Sequence, residues 1–572
     1  MELPTDLIDA TLRWIEGDPD PQTRAELEDL LERRDMEALA DRMAGSLVFG
    51  TAGLRGKVEA GSNRMNRAVV IRTTRGLARY LLARDDDSEQ PVVVGRDARL
   101  SSERFMKDTV GVLAAAGLPV RFFPDPTPTP LVAYAAKMLG ARAAVVVTAS
   151  HNPPADNGYK VYDGNGVQIV PPVDREIAEA IDHVGLAIEV PRVRGATKGG
   201  DALVAPVPAD VFARYLDDVA AIRPPGAPGS DLVIVYTPMH GVGGAFVTEA
   251  LRRFGHTRIH PVAQQYEPDG RFPTVAFPNP EEPGALDLAT DLAAQIGADL
   301  IIANDPDTDR LAVSVPHPDG WRPLTGNQIG VLLADFILEH TTTARPIVLN
   351  SIVSSPLLAK IAAAHGARFA QTLTGFKWIW NAALDLQEAG EGRFVFGYEE
   401  ALGYSVGQTV RDKDGISAAV LFADLAAACH AAGGTVLDRL DDLHRRFGLW
   451  VSTQRSVVRP GTEGAAEIAV AMERLAAAPP STLDGIPVVA VTDFRRGAED
   501  RPRYLPAATL VEMDLGERGR VLARPSGTEP KLKIYVDATA PVPTGEAPSR
   551  MEPELQATAD RLAASTVAAL GL

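Results

Sequence analysis

Asp305, Asp307 and Asp309 stand at every second position of "ANDPDTDR", directly after an apolar run. Where such a stretch is extended, alternate side chains share one side. Three carboxylates crowded together repel one another unless a cation compensates them. All-oxygen ligation suits Mg²⁺, which also takes phosphate oxygens as ligands. An acidic surface turn is the plainer alternative. The regular spacing and the adjoining Arg310 favour a metal site.

A second cluster, "VVVTASHNPPADNGYKVY", places Ser150 at the tip of an apolar run, with His151 beside it and Lys160 ten residues on. A helix N-cap or a turn hydroxyl is one reading of such a serine. An acyl-transfer nucleophile is another, but "TASHNP" has no G-x-S-x-G elbow. In extended backbone His151 would also point away from Ser150. The third reading is a serine that carries a phosphoryl group, with a cation and basic residues nearby to balance its charge.

Three further stretches fit phosphate and sugar chemistry. In "RPSGTEPKLKIY", Arg524, Ser526, Gly527, Thr528 and Lys531 form a candidate phosphate cradle, set against the alternative of a basic hairpin turn. In "FGYEEALGY", Glu399 and Glu400 could accept hydrogen bonds from sugar hydroxyls, or simply open a helix. In "GTAGLRGK", Arg55 sits between glycines, where little bulk hides it.

The elements that must position these residues are short. A β-branched run ends in a polar or Gly-containing turn and a helical stretch follows, as in "PVVVGRDARLSSE", "LVIVYTPMHGVGG" and "PIVLNSIVSS". That alternation predicts α/β domains with largely parallel sheets, whose functional residues gather at the carboxyl ends of the strands. With 572 residues the chain needs several cores. Pro/Gly-rich and compositional junctions predict α/β domains over 1–207, 208–324 and 325–450, and an α+β domain over 451–572. The opening reads as an amphipathic helix ending near Gly17, without the order of a secretory signal. One cysteine, Cys429, and no long uninterrupted apolar segment lead to the expectation of a cytoplasmic protein without a membrane partner. A net charge of −18 argues against nucleic acid as a partner but leaves room for small anions at local basic clusters.

Taken together and in this order, "TASHNP", "DPDTDR", "GYEEALG" and "RPSGTEP" resemble the α-D-phosphohexomutase superfamily, over nearly the whole chain. "GTAGLRG", "DNGYK" and "GYEEALGY" look most like its longer phosphoglucomutase and phosphopentomutase branch. The resemblance implies four domains around a central cleft: three related α/β domains and a last one with a TATA-binding-protein-like fold. It implies a Mg²⁺-dependent mutase acting on a small phosphosugar through glucose 1,6-bisphosphate, as a monomer or homodimer. Ser150 would be the phosphoserine and would share the metal with Asp305, Asp307 and Asp309. Lys160, Arg55, His151 and Arg310 would serve proton transfer and charge balance. Glu399 and Glu400 would hold the sugar. Thr374, Gly375 and Lys377 in "TGFKWI", with Lys413, would contact substrate. Arg524, Ser526, Gly527, Thr528 and Lys531 would grip the phosphate that is not reacting. Many relatives carry serine two places after the sugar-loop glutamate, where this chain has Ala401. Phosphoglucomutase activity is the leading expectation, with phosphomannomutase or phosphopentomutase activity as alternatives. "DPDTD" also partly resembles haloacid-dehalogenase-like phosphatases, in which Asp305 would be the nucleophile, although Asp309 replaces their usual Thr or Val. A non-catalytic sugar-phosphate sensor is the remaining alternative.

Overall fold

Apolar runs with no polar alternation are the mark of strands covered on both faces. Ala143–Val147, "AAVVV", is buried at every position. In the computed structural model it lies inside a mixed sheet. The structure describes residues 5–47, 53–84, 89–227, 229–526 and 531–572. It divides into two compact units, Met1–Pro323 with Gly403–Asp424, and Leu324–Leu402 with Leu425–Leu572.

The first unit opens with helices α1 (Thr5–Gly17), α2 (Pro21–Glu32) and α3 (Met36–Arg42), so the amphipathic opening ends where its pattern indicates. Its first sheet comprises β1 (Leu54–Lys57), β2 (Val92–Arg96), β3 (Val120–Phe122), β4 (Ala143–Val147), β5 (Asp156–Asp163) and β6 (Val204–Pro206). Their spatial order is β1-β5-β4-β2-β3-β6. The β2–β4, β2–β3 and β3–β6 pairs are parallel, whereas β5 runs antiparallel to both β4 and β1. Helices α4 (Arg67–Ala83), α5 (Ser102–Ala115) and α6 (Thr129–Met138) connect and cover it. The Asn66 side chain caps α4 by accepting from the Val69 N–H at 3.0 Å.

The second sheet, in the order β11-β10-β9-β7-β8, comprises β7 (Ile234–Thr237), β8 (Ile259–Pro261), β9 (Leu300–Ala303), β10 (Ala312–His317) and β11 (Gly320–Pro323). Again the centre is parallel, through β7–β8 and β7–β9, and the edge is antiparallel.

In the second unit, β12 (Pro346–Ser351) pairs in parallel with β13 (Arg368–Thr372) on one side and β14 (Arg393–Glu399) on the other. A five-stranded antiparallel sheet follows, ordered Leu449–Val458, Lys531–Ala540, Gly519–Pro525, Val511–Asp514 and Ala490–Asp493. The long C-terminal helix Pro548–Leu570 buries Ala559, Leu562, Ala563 and Leu570 in the same core as the strands of that sheet. Three α/β layers and one antiparallel α+β layer are thus present. Among the described residues no single helix is long and apolar enough to cross a membrane.

Candidate active site

The β4–β5 hairpin builds the serine loop. Its register sets Lys160 opposite Val146, so the strand returns the lysine toward the sheet end from which Ser150 projects. Ser150 itself is left-handed, with φ 53°. Its N–H donates to Thr148 Oγ1 at 2.8 Å. Extended backbone would turn His151 away. The left-handed turn instead brings His151 Nδ1 to 3.1 Å from Ser150 Oγ, which corrects the sequence reading. Burial first, then Arg310 and Arg55, hold the His151 imidazole well below its ordinary pKa, so it is neutral.

The acidic triplet occupies the turn between β9 and β10. That stretch is folded and not extended: the Thr308 N–H donates to the Asp305 carbonyl at 2.9 Å, and Thr308 has φ 63°. The turn, and not strand alternation, makes the carboxylates converge. One oxygen from each of the three lies within 4.8 Å of the others, and all three residues are fully buried.

Ser150 Oγ–H donates to Asp305 Oδ2 at 2.9 Å, and the Arg310 N–H donates to Asp305 Oδ1 at 3.0 Å. Lys160 Nζ reaches Asp307 Oδ2 at 2.7 Å and Asp309 Oδ2 at 2.9 Å. Lys413 Nζ lies 3.1 Å from Asp309 Oδ2. The Arg310 guanidinium stands 3.9 Å from Asp305 and 4.0 Å from Asp309.

This array separates the carboxylates electrically. Burial, then Asp307 and Asp309, push Asp305 well above the carboxylate range. Burial is the largest influence on Asp307 and Asp309 and opposes their ionisation, with Asp309 adding to it at Asp307. Lys160 and Thr129 together at Asp307, and Lys160, Lys413 and Arg310 together at Asp309, nevertheless hold both below the ordinary carboxylate value. Burial would lower Lys160, yet Asp307 and Asp309 raise it, so its ammonium is held charged. That state suits charge balance; acting as a base would require those partners to loosen their hold.

The oxygen donor set fits a hard cation. Asp307 Oδ1 and Asp309 Oδ1 are buried without a hydrogen-bond partner among the described residues. A buried charged oxygen left in that state is costly, and a divalent ion would satisfy it.

Several supporting residues carry no functional signal in the sequence. Arg99 follows β2, and its guanidinium donates to four backbone carbonyls of the serine loop. Nη2 reaches Ser150 at 2.7 Å and Asn152 at 2.5 Å, and Nη1 reaches Pro153 at 2.7 Å and Asp156 at 2.9 Å. Asp97 pairs with it at 3.2 Å, and the Phe272 ring centroid lies 5.2 Å from its charge. Thr129, the first residue of α6, donates from Oγ1 to Asp307 Oδ2 at 2.7 Å and from its N–H to the Asp307 carbonyl at 3.0 Å. The segment around Lys413 is fixed by Tyr162 O–H, which donates to Asp412 at 2.6 Å, and by Tyr215 O–H, which donates to Asp414 at 2.7 Å. Arg55, on β1, donates from Nη1 to Asn152 Oδ1 at 3.1 Å, and burial lowers its pKa.

Ser150, His151, Lys160, Arg55, Arg310, Lys413 and the triplet therefore share one unit. The sugar and cradle residues belong to the other. There the Gly375 N–H donates to Glu399 Oε1 at 2.6 Å, from a backbone with φ 119° that glycine tolerates. Glu400 Oε2 accepts from Ser351 Oγ at 3.1 Å and Ser354 Oγ at 3.2 Å. Thr374 Oγ1 is buried without a hydrogen-bond partner among the described residues, and Lys377 is buried. The Ser526 N–H closes on the Lys531 carbonyl at 2.7 Å. Burial first, then Glu400 and Glu399 against the pull of Arg524, push the Tyr535 phenol up. Gly527 and Thr528 lie outside the described residues.

Known proteins share this architecture. The chain matches the phosphoglucomutase/phosphomannomutase alpha/beta/alpha domain I over residues 46–186, domain II over 213–320, domain III over 325–447, and the C-terminal domain over 467–545. A Haemophilus influenzae protein named as a probable phosphomannomutase is 41% identical, covering 83% of this chain and 93% of its own. The Mus musculus phosphopentomutase is 34% identical over 95% of this chain and 92% of its own. A Staphylococcus epidermidis phosphoglucomutase is 34% identical over 89% and 94%. Among solved structures, the exocytosis-sensitive phosphoprotein pp63/parafusin of Paramecium aligns with TM-score 0.69 and 17% identity, covering 93% of this chain and 97% of its own.

Proposed function

The chain belongs to the phosphoglucomutase/phosphomannomutase family and is a phosphosugar mutase, and from that premise we propose that it interconverts glucose 1-phosphate and glucose 6-phosphate through a phosphoserine at Ser150. The observation that carries the reading is the 2.9 Å contact between Ser150 Oγ and Asp305, the first carboxylate of the buried triplet.

In the first half-reaction a free sugar hydroxyl attacks the phosphorus on Ser150. The sugar O–P bond forms, the Oγ–P bond breaks, and the hydroxyl proton passes to a base, for which Lys160 is the candidate once Asp307 and Asp309 loosen their hold and it has lost its own proton. The bisphosphate turns over, its second phosphoryl group returns to Ser150 Oγ, and the proton is given back to the sugar oxygen released. Arg55, Arg310 and Lys413 balance charge on the transferring group. Glu399 and Glu400 orient hydroxyls, and Arg524, Ser526 and Lys531 hold the phosphate at rest. Asp305, Asp307 and Asp309, with an oxygen of the Ser150 phosphoryl group, would hold Mg²⁺, which neutralises phosphoryl charge when bound. Both Asp305 oxygens already accept hydrogen bonds, from Ser150 and from the Arg310 backbone, which favours serine over Asp305 as nucleophile.

A pentose phosphate is the second reading. It is favoured by the phosphoribomutase and phosphopentomutase relatives, which align with 92–95% of the chain, and by Ala401, which offers no side-chain hydroxyl. Turnover of glucose 1-phosphate with catalytic glucose 1,6-bisphosphate is to be compared with mannose 1-phosphate and ribose 1-phosphate. Glucose 1-phosphate is expected to give the highest kcat/KM. Ser150→Ala is expected to lose at least about 10³-fold in kcat. Undiminished turnover in that variant would remove the nucleophile assignment, and ligand binding without turnover in the wild type would favour a sensor.

A further inference from the structure

We infer that the first unit carries a second anion site, built from Arg67, Arg104, Lys107, Asp108, Arg192 and Arg194, that binds a small molecule bearing two or more phosphoryl groups. These residues line a cleft of about 480 Å³, a volume suited to a metabolite. None of them contacts Ser150 or the acidic triplet.

The cleft follows from the spacing on α5. Arg104, Lys107, Asp108 and Gly111 recur at three- and four-residue intervals and so share one face of the helix. Gly111 lets another segment lie against that face. The Val193 N–H donates to the Gly111 carbonyl at 3.0 Å, and a Cβ at Gly111 would stand 3.0 Å from the Val193 oxygen. Arg192 and Arg194 flank this anchored residue. Arg67, the first residue of α4, closes the floor: Nε and Nη2 reach the two Asp108 oxygens at 2.7 and 2.9 Å. Arg192 Nη1 approaches the same carboxylate at 3.5 Å. The floor is therefore rigid, with the Asp108 side chain 8% exposed.

Charge is left over. Arg104 pairs with Asp20 at 3.2 Å and Lys107 with Glu103 at 2.5 Å. Five cations thus meet three carboxylates, in a chain whose net charge is −18. Asp18, two residues before Asp20, also acts on Arg67, so a fourth carboxylate stands behind these three and the five cations still exceed them. Arg192 shows the crowding: burial, then Arg67 and Arg194, lower its pKa against the pull of Asp108 alone. A multivalent anion would replace that repulsion with charge-assisted, planar contacts that guanidinium groups make well. The side chains of Arg104, Lys107 and Arg194 are exposed, and Arg104 and Lys107 would exchange Asp20 and Glu103 for the anion in closing over it.

The test is calorimetry of inorganic pyrophosphate binding to the full chain. Three proteins are compared: wild type, the Arg104→Ser/Lys107→Ser/Arg194→Ser variant, and a Lys413→Ala/Arg524→Ala variant that weakens the catalytic anion contacts. The triple variant leaves the Arg67–Asp108 pair intact, and its turnover without pyrophosphate is expected to match wild type. Its pyrophosphate affinity at one class of sites is expected to fall about tenfold or more. The Lys413/Arg524 variant is expected to keep that class. Identical isotherms for wild type and the triple variant would overturn the inference. Loss of all binding in the Lys413/Arg524 variant would overturn it too, by assigning the anion to the catalytic site. Orthophosphate binding as tightly as pyrophosphate would overturn the two-phosphoryl requirement.

Discussion

Arg99 gathers four carbonyls of the serine loop onto one guanidinium, buried to 1% exposure. Backbone oxygens leave no mark in a sequence, so "GRDAR" reads as the end of a strand and nothing more. Ser150 and the three aspartates were legible because their chemistry resides in the side chain. Thr129 was not, because its role is to orient a carboxylate 178 positions away. A planar fork of donors differs from a point charge, so lysine is a poor substitute at position 99. Arg99→Lys and Arg99→Ala are both expected to lower kcat by about 10²-fold with little change in KM, as misplacement of a reacting atom does. Added guanidinium ion is expected to restore part of the rate in Arg99→Ala. The check is the rate at which Ser150 is phosphorylated by glucose 1,6-bisphosphate, followed by intact mass. A normal rate would limit Arg99 to a structural role.

At the scale of elements, the β4–β5 hairpin and the β9–β10 turn do the positioning. The parallel strands were readable as apolar runs, and the polar motifs fall at their carboxyl ends as such sheets require. The direction of the turns was not readable. Non-glycine residues at positive φ, Ser150 and Thr308, have no reliable sequence signature, and they decide where His151 and Asp309 point. Gly158 on β5 shows how tightly these strands are set. A Cβ there would lie 2.5 Å from the Thr148 carbonyl oxygen and 2.6 Å from that of Leu54. Neither backbone atom can swing aside. Gly158→Ala is expected to cost about 1–3 kcal/mol in urea unfolding. Because Lys160 lies two residues on, kcat should fall as well. A stability unchanged within error would show that the strands can part.

For the molecule as a whole, the order of motifs along the chain revealed the four-domain plan, which no single motif could. Sugar choice stayed hidden, because in the proposed reading it would depend on which hydroxyls Glu399 and Glu400 meet, and the same residue types suit hexose and pentose alike. A divalent ion held by the acidic triplet would couple to the stability of the fold. Binding to the native state alone stabilises by mass action, by about 2.7 kcal/mol at a hundredfold excess over Kd. Mg²⁺ is therefore expected to raise the midpoint of thermal unfolding. Chelation should reverse that rise and abolish turnover. Asp307→Asn should show a smaller shift. An identical shift in Asp307→Asn would place the stabilising ion elsewhere.

The positive φ at residue 150 has a consequence for how the protein trades robustness against chemistry. Every side chain except glycine's strains a left-handed backbone, by about 1 kcal/mol. Glycine and alanine at that position both delete the hydroxyl, yet only glycine also releases the tension. The glycine form should melt later than the alanine form while being equally inert. If Ser150 is the nucleophile proposed, the wild-type chain keeps that alcohol cocked at the expense of some of its own firmness.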